Sequence, residues 1–133
     1  MAALAGALSA ADFLLSARDN ATAAPVDWSR AQRVDVKMVE YEFVPDHLRF
    51  HRGVAYQLTL INAGREGHDF TAPDFLAAVH VRNPEALNAT GTSVFLHPGE
   101  EIHIYFISYD AGLFAPRCAD HDWAGMTATI VID

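Results

Sequence analysis

Apolar and polar residues alternate along most of the chain from Arg33 onward. Val34, Val36 and Met38 share one phase, and Tyr41 and Phe43 take the opposite one, which predicts a bulge or bend near Val39. Pro45 and Asp46 mark a turn, after which Leu48 and Phe50 begin a second strand. Residues 54–62 give the clearest strand, with Val54, Tyr56, Leu58 and Leu60 on one face. Residues 63–67 are rich in turn formers. Residues 73–92 follow no period, and Pro73, Asn83, Pro84 and Gly91 punctuate them as an irregular insertion with one helical turn opening at Pro84. Val94 and Leu96 form a further strand, and Ile102, Ile104 and Phe106 alternate in the next. Residues 112–118 and 126–132 supply the last two. Short strands at this spacing, with turns between them, predict an all-β sandwich or barrel.

The first 24 residues read differently. Ala and Leu dominate the start, and Ala21, Ala23, Ala24 and Pro25 resemble the small-residue end of an export signal, yet no basic residue precedes the apolar run and Asp12 interrupts it. Ser9 and Asp12 have the spacing of a capping box, with Leu4, Leu8 and Leu15 on roughly one face of a short helix. A signal remnant and a short helix both remain open. The division expected is an N-terminal extension over residues 1–32 and one domain over residues 33–133.

Charge narrows the partners. Seventeen acids against nine Lys and Arg give a formal net charge of −8, which argues against nucleic acid and is compatible with a cationic protein partner. No apolar run is long enough to span a bilayer. A single cysteine excludes an intramolecular disulfide, so the thiol is a core residue, a reactive group or a ligand. Asn20-Ala-Thr22 and Asn88-Ala-Thr90 match glycosylation sequons, which matter only in a eukaryotic secretory route.

That cysteine, Cys118, is followed by His121 and Met126 in one short loop. A thiolate, an imidazole and a thioether are soft or borderline donors, suited to copper in an electron-transfer site, where a second imidazole completes the strong set. His68 is the best candidate for it, because it follows a glycine-bearing loop at the end of the strongest strand. The other histidines are weaker: His47 and His51 flank a short strand, His80 lies in the insertion, His97 precedes a proline, and His103 is out of phase with its apolar neighbours and points to solvent. A structural zinc site fits poorly, since it takes four strong Cys or His ligands.

Several motifs together resemble the small cupredoxins of the plastocyanin and pseudoazurin type. They are Leu48-x-Phe50-x-x-Gly53, Asn62-x-Gly64-x-x-x-His68, Pro98-Gly99-Glu100, Gly112-x-Phe114 and above all Cys118-x-x-His121-x-x-x-x-Met126. The resemblance covers about residues 33–133. It implies a Greek-key β-sandwich with one type 1 copper ion cycling between Cu(I) and Cu(II), held by His68, Cys118 and His121 with Met126 as weak axial ligand. It also implies that Asp69, where the family more often carries Asn, ties the two ligand loops together behind the metal. Pro116 and Arg117 stand where plastocyanins carry aromatics, and Pro116 predicts an edge or an irregularity in its strand. Trp123, inside the ligand loop, has no plastocyanin counterpart and is assigned here to the surroundings of the metal. Glu66, Asp74, Asp120 and Asp122 are expected to form a solvated acidic rim.

Two functions share this ligand set. One is a one-electron carrier, expected to be monomeric and to dock on a redox protein such as a basic cytochrome. The other is a cell-envelope protein that binds copper for tolerance or delivery. An enzyme is disfavoured, because copper oxidases of this fold need further histidines at domain interfaces. Copper chemistry of this kind places the protein in a periplasm or an equivalent extracytoplasmic space.

Overall fold

The computed structural model describes residues 25–133; the signal remnant or helix expected over residues 1–24 lies outside the described residues. Ten strands follow one another among them: β1 (Gln32–Val39), β2 (Glu42–Val44), β3 (His47–Phe50), β4 (Ala55–Asn62), β5 (His68–Thr71), β6 (His80–Val81), β7 (Ser93–Leu96), β8 (Glu101–Ile107), β9 (Gly112–Phe114) and β10 (Thr129–Ile132). One short helix, α1 (Pro73–Ala78), lies between β5 and β6.

Five strands form one sheet in the order β2-β1-β4-β8-β6, with β1 parallel to β4 and β4 antiparallel to β8. A second sheet runs β3-β10-β9, and β5 pairs with β7. Single bridges from Arg117 to Thr71 and to Thr127 join the β5–β7 pair to the strand ends around the last loop. The inward faces carry the alternating residues: Val36, Met38, Leu58, Leu60, Ile104 and Phe106 from the five-stranded sheet meet Leu48, Phe50, Phe70, Leu96, Ile130 and Ile132 in one core. Phe50 binds the layers, its ring 4.7 Å from Tyr56 and 5.0 Å from Phe106, both edge to face. The all-β sandwich is the architecture the sequence pattern predicts.

Four details differ from the sequence reading or refine it. The bulge or bend expected near Val39 is a full chain reversal: Glu40 and Tyr41 turn β1 back into β2, which pairs Val39 with Glu42. The strand expected over residues 112–118 stops at Phe114, because Pro116 has no N–H to give to a ladder. The insertion contains α1, which starts on Pro73 and buries Phe75 and Leu76, a stretch too short to show a helical period. His103 does not point freely into solvent. Its Nδ1 lies 2.9 Å from Thr59 Oγ1 and 3.1 Å from Gln57 Nε2 on the outer face of the sheet. Near it Trp28, in a 3-10 turn before β1, packs against Tyr105, with the Arg82 guanidinium 5.6 Å from the Trp28 ring centre.

Candidate metal centre

At the end of β4, Asn62 shapes the loop that delivers the first histidine. Its amide donates to the carbonyls of Glu66 (2.8 Å) and Leu96 (3.0 Å), and its Oδ1 accepts the Gly64 N–H (2.9 Å). The side chain thereby supplies turn contacts that backbone alone would leave open. His68 then opens β5 opposite Leu96 and is completely buried. Its Nε2 lies 3.3 Å from Glu40 Oε1, whereas its buried Nδ1 has no protein partner. A buried ring nitrogen without a partner is costly in a folded protein and calls for a ligand.

Glu40 was not singled out from the sequence. It sits in the β1–β2 turn, 28 residues from His68, and its carboxylate accepts the backbone N–H groups of Arg65 (2.5 Å) and Glu66 (2.8 Å). The Glu66 N–H foremost, with the Arg65 N–H and the His68 ring, holds the Glu40 carboxyl down to about 2. Gly64 is part of this arrangement, since a Cβ there would clash with Glu40 Oε1. The phase break at residues 40 and 41 was the only sequence signal near it.

The second ligand loop begins where β9 has ended. Thr71 and Arg117 exchange two backbone hydrogen bonds (2.8 and 3.0 Å), which set Cys118 beside β5. Cys118 is buried, and its N–H donates to the Met126 carbonyl at 3.0 Å, so the two ends of the loop meet. Between them residues 122–124 make a 3-10 turn that Gly125 ends at φ +82°, a left-handed conformation suited to glycine. Met126 is buried in the core.

One donor atom from each of His68, Cys118 and His121 lies within 4.8 Å of the other two, a group able to hold a metal ion. His121 turns its Nδ1 toward Cys118 Sγ at 3.4 Å and its Nε2 toward Glu66 Oε2 at 3.4 Å. Asp69 lies between the two loops. Its N–H donates to Cys118 Sγ (3.4 Å), while its Oδ1 accepts the Ala119 N–H (2.8 Å) and the Thr71 hydroxyl (2.5 Å). The thiol of Cys118 stands 3.5 Å from Asp69 Oδ2. Burial foremost pushes the Cys118 thiol pKa up, and the Asp69 carboxylate adds to the effect. A bound metal ion would reverse this, because a coordinating thiol gives up its proton.

His121 is the ligand candidate nearest solvent, its side chain 15% exposed. Tyr41 packs on it at 4.8 Å between ring centres, and Trp123 lies 6.0 Å beyond Tyr41. Trp123 is 77% exposed, donates its indole N–H to the Asp120 carbonyl and stands one ring away from the histidine. The Glu66 carboxylate raises the pKa of the Tyr41 hydroxyl and lies against His121, so this acid, expected on a solvated rim, takes part in the site. Asp122 pairs with Arg117 at 3.6 Å.

No protein-family model matches the sequence, and no curated protein is significantly similar to it. Solved structures do match. The chain is similar to auracyanin B, with 21% identity and a TM-score of 0.57 over 77% of this chain and 89% of that one. It is also similar to dithionite-reduced auracyanin from the photosynthetic bacterium Roseiflexus castenholzii: 15% identity, TM-score 0.57, 77% of this chain and 98% of that one. A multi-copper oxidase from Pediococcus acidilactici gives 16% identity and a TM-score of 0.59 over 82% of this chain, but only 27% of the oxidase. The chain has the cupredoxin fold, a β-sandwich of the kind its motifs resemble.

Proposed function

We propose that this is a type 1 mononuclear copper protein that carries single electrons rather than turning over a substrate. His68 through Nδ1, Cys118 through Sγ and His121 through Nδ1 would be the strong ligands, and the buried Met126 the weak axial one. The observation that carries the reading is the bare, buried Nδ1 of His68 in a group with a cysteine thiol and a second imidazole. Two imidazoles and one thiolate, with a thioether at hand, is the donor chemistry of electron-transfer copper and not of magnesium, calcium or structural zinc. The ion would supply one-electron redox chemistry. The chain's part is to keep the donors fixed while its charge changes, and the Asp69 bridge between the loops supports that role. The exposed rings of Tyr41 and Trp123 beside His121 support an exchange surface there.

Copper(II) added to the apo-protein should give an intense visible thiolate-to-copper band and a narrow copper hyperfine splitting in EPR. Cys118→Ser should abolish the band; its survival in that variant would sink the assignment. The acidic balance supports a basic redox protein as partner, and the copper chemistry supports an extracytoplasmic location. Exchange with a basic cytochrome should then slow as ionic strength rises. The second reading, copper binding for tolerance or delivery, draws on Pro116 and Arg117, which leave the approach to Cys118 without aromatic rings. Slow exchange that ignores salt, with copper sensitivity on gene deletion, would favour it.

A further inference from the structure

Both imidazoles of the centre meet a carboxylate at Nε2. Glu40 Oε1 lies 3.3 Å from His68 Nε2, and Glu66 Oε2 lies 3.4 Å from His121 Nε2. Glu40 is fixed by the Arg65 and Glu66 N–H groups, whereas Glu66 stands at the surface beside His121. An ionised carboxylate can only accept, so each favours the neutral ring that carries its proton on Nε2 and leaves Nδ1 as a lone pair. The unpartnered Nδ1 of His68 and the Nδ1 of His121 facing Cys118 Sγ are the atoms so exposed.

Outer carboxylates of this kind fix the orientation of a metal-bound imidazole and raise its basicity. They also place negative charge near the ion, which favours the higher-charged oxidation state by Coulomb attraction. The two acids differ in weight. The Glu40 side chain is 28% exposed and faces a fully buried ring, whereas the Glu66 side chain is 49% exposed and faces one open to solvent. Screening by water and salt therefore weakens Glu66 more.

We propose that Glu40 and Glu66 are positioning residues that hold both imidazoles as Nε2–H tautomers and bias the centre toward oxidised copper. The inference rests on the copper reading above for its redox half, while the tautomer half concerns the protein without metal. Long-range proton–nitrogen NMR of the apo-protein tests the latter at near-neutral pH. His68 and His121 should both show Nε2 protonated and Nδ1 bare, and Glu40→Gln, whose amide can donate as well as accept, should weaken that preference at His68. A His68 proton on Nδ1 in the unaltered protein overturns the proposal.

The redox half is read by spectroelectrochemistry of copper-loaded Glu40→Gln, Glu66→Gln and the double variant, which keep side-chain size while removing charge. Glu40→Gln should shift the balance toward Cu(I) about tenfold, a rise in potential of about 59 mV. Glu66→Gln should shift it in the same direction by less, and the double variant by more than either. A purely structural role for these acids would lower the melting temperature and leave the potential in place. Unchanged potentials in all three variants, each with its thiolate band intact, overturn the proposal. If Glu40→Gln fails to fold, the surface variant Glu66→Gln still decides: no rise there counts against the pair. A copper-loaded parent protein without the band would instead sink the copper reading, and the NMR result would stand apart from it.

Discussion

The two histidines of the centre belong to different kinds of surroundings. His68 is part of β5, paired with β7 and walled by Phe70 and Leu96, all fully buried. His121 hangs in a short loop, held by a 3-10 turn and a left-handed glycine, with Tyr41 and the exposed Trp123 for neighbours. Close-packed interiors resist small displacements, whereas loops on a rigid scaffold are where binding partners are met. One side of the site can therefore fix geometry while the other faces what lies outside. The asymmetry is not in the two candidate ligands, which are the same imidazole, but in what packs behind them.

The sharpest way to break this comparison is to remove each ring and offer it back. With His121→Gly, added imidazole should restore much of the visible thiolate-to-copper band, because that ring borders solvent. With His68→Gly, the same addition should restore little, because the vacated space is sealed in the core. Equal rescue would show that the two sides are alike. Stability provides the next contrast. Phe70→Ala, on the His68 side, should cost about 3–5 kcal/mol in denaturant unfolding of the apo-protein. Trp123→Ala should stay within about 0.5 kcal/mol and act instead on electron exchange with a protein partner.

The smallest expected effect lies in the carboxylate of Asp133, beyond the end of β10. Arg49 foremost, with Nε 2.7 Å away, and His51 hold its pKa below the usual aspartate range. A depressed carboxylate stabilises the fold fully above its unfolded pKa, and that contribution is lost as pH falls through the lower folded value. Acid unfolding of Asp133→Asn should therefore lack a small part of the parent's pH dependence below about 4. The visible band of the copper-loaded protein at neutral pH should not move. A shifted band would mean that this residue is coupled to the metal centre.

The β pattern and the grouping of Cys118 with His121 were legible because each is a local signal, periodicity in one case and a short loop in the other. His68 was legible too, since strand, loop and histidine follow directly on one another. Glu40 was not. Its role depends on β1 lying parallel beside β4, which carries the β1–β2 turn to the loop before β5, and no local pattern encodes that pairing. Glu66 illustrates the same limit: an acid in a loop reads as solvated until the chain brings Tyr41 and His121 to it. The short helix α1 was missed because six residues carry too little period to distinguish it from loop.

The paired hydrogen bonds between Thr71 and Arg117 bear on the order in which the protein assembles. Asp69 and Cys118 are 49 positions apart, so bringing the two ligand segments together closes a long stretch of chain. The entropic cost of such a closure grows only slowly with length, by about 0.6 kcal/mol for each doubling. Here backbone pairing at Thr71 and the Asp69 contact to Ala119 are available to offset it. The folding chain then need not recruit an ion to close the ring, unlike small zinc domains in which metal affinity is spent on folding. Binding strength remains for discrimination among ions.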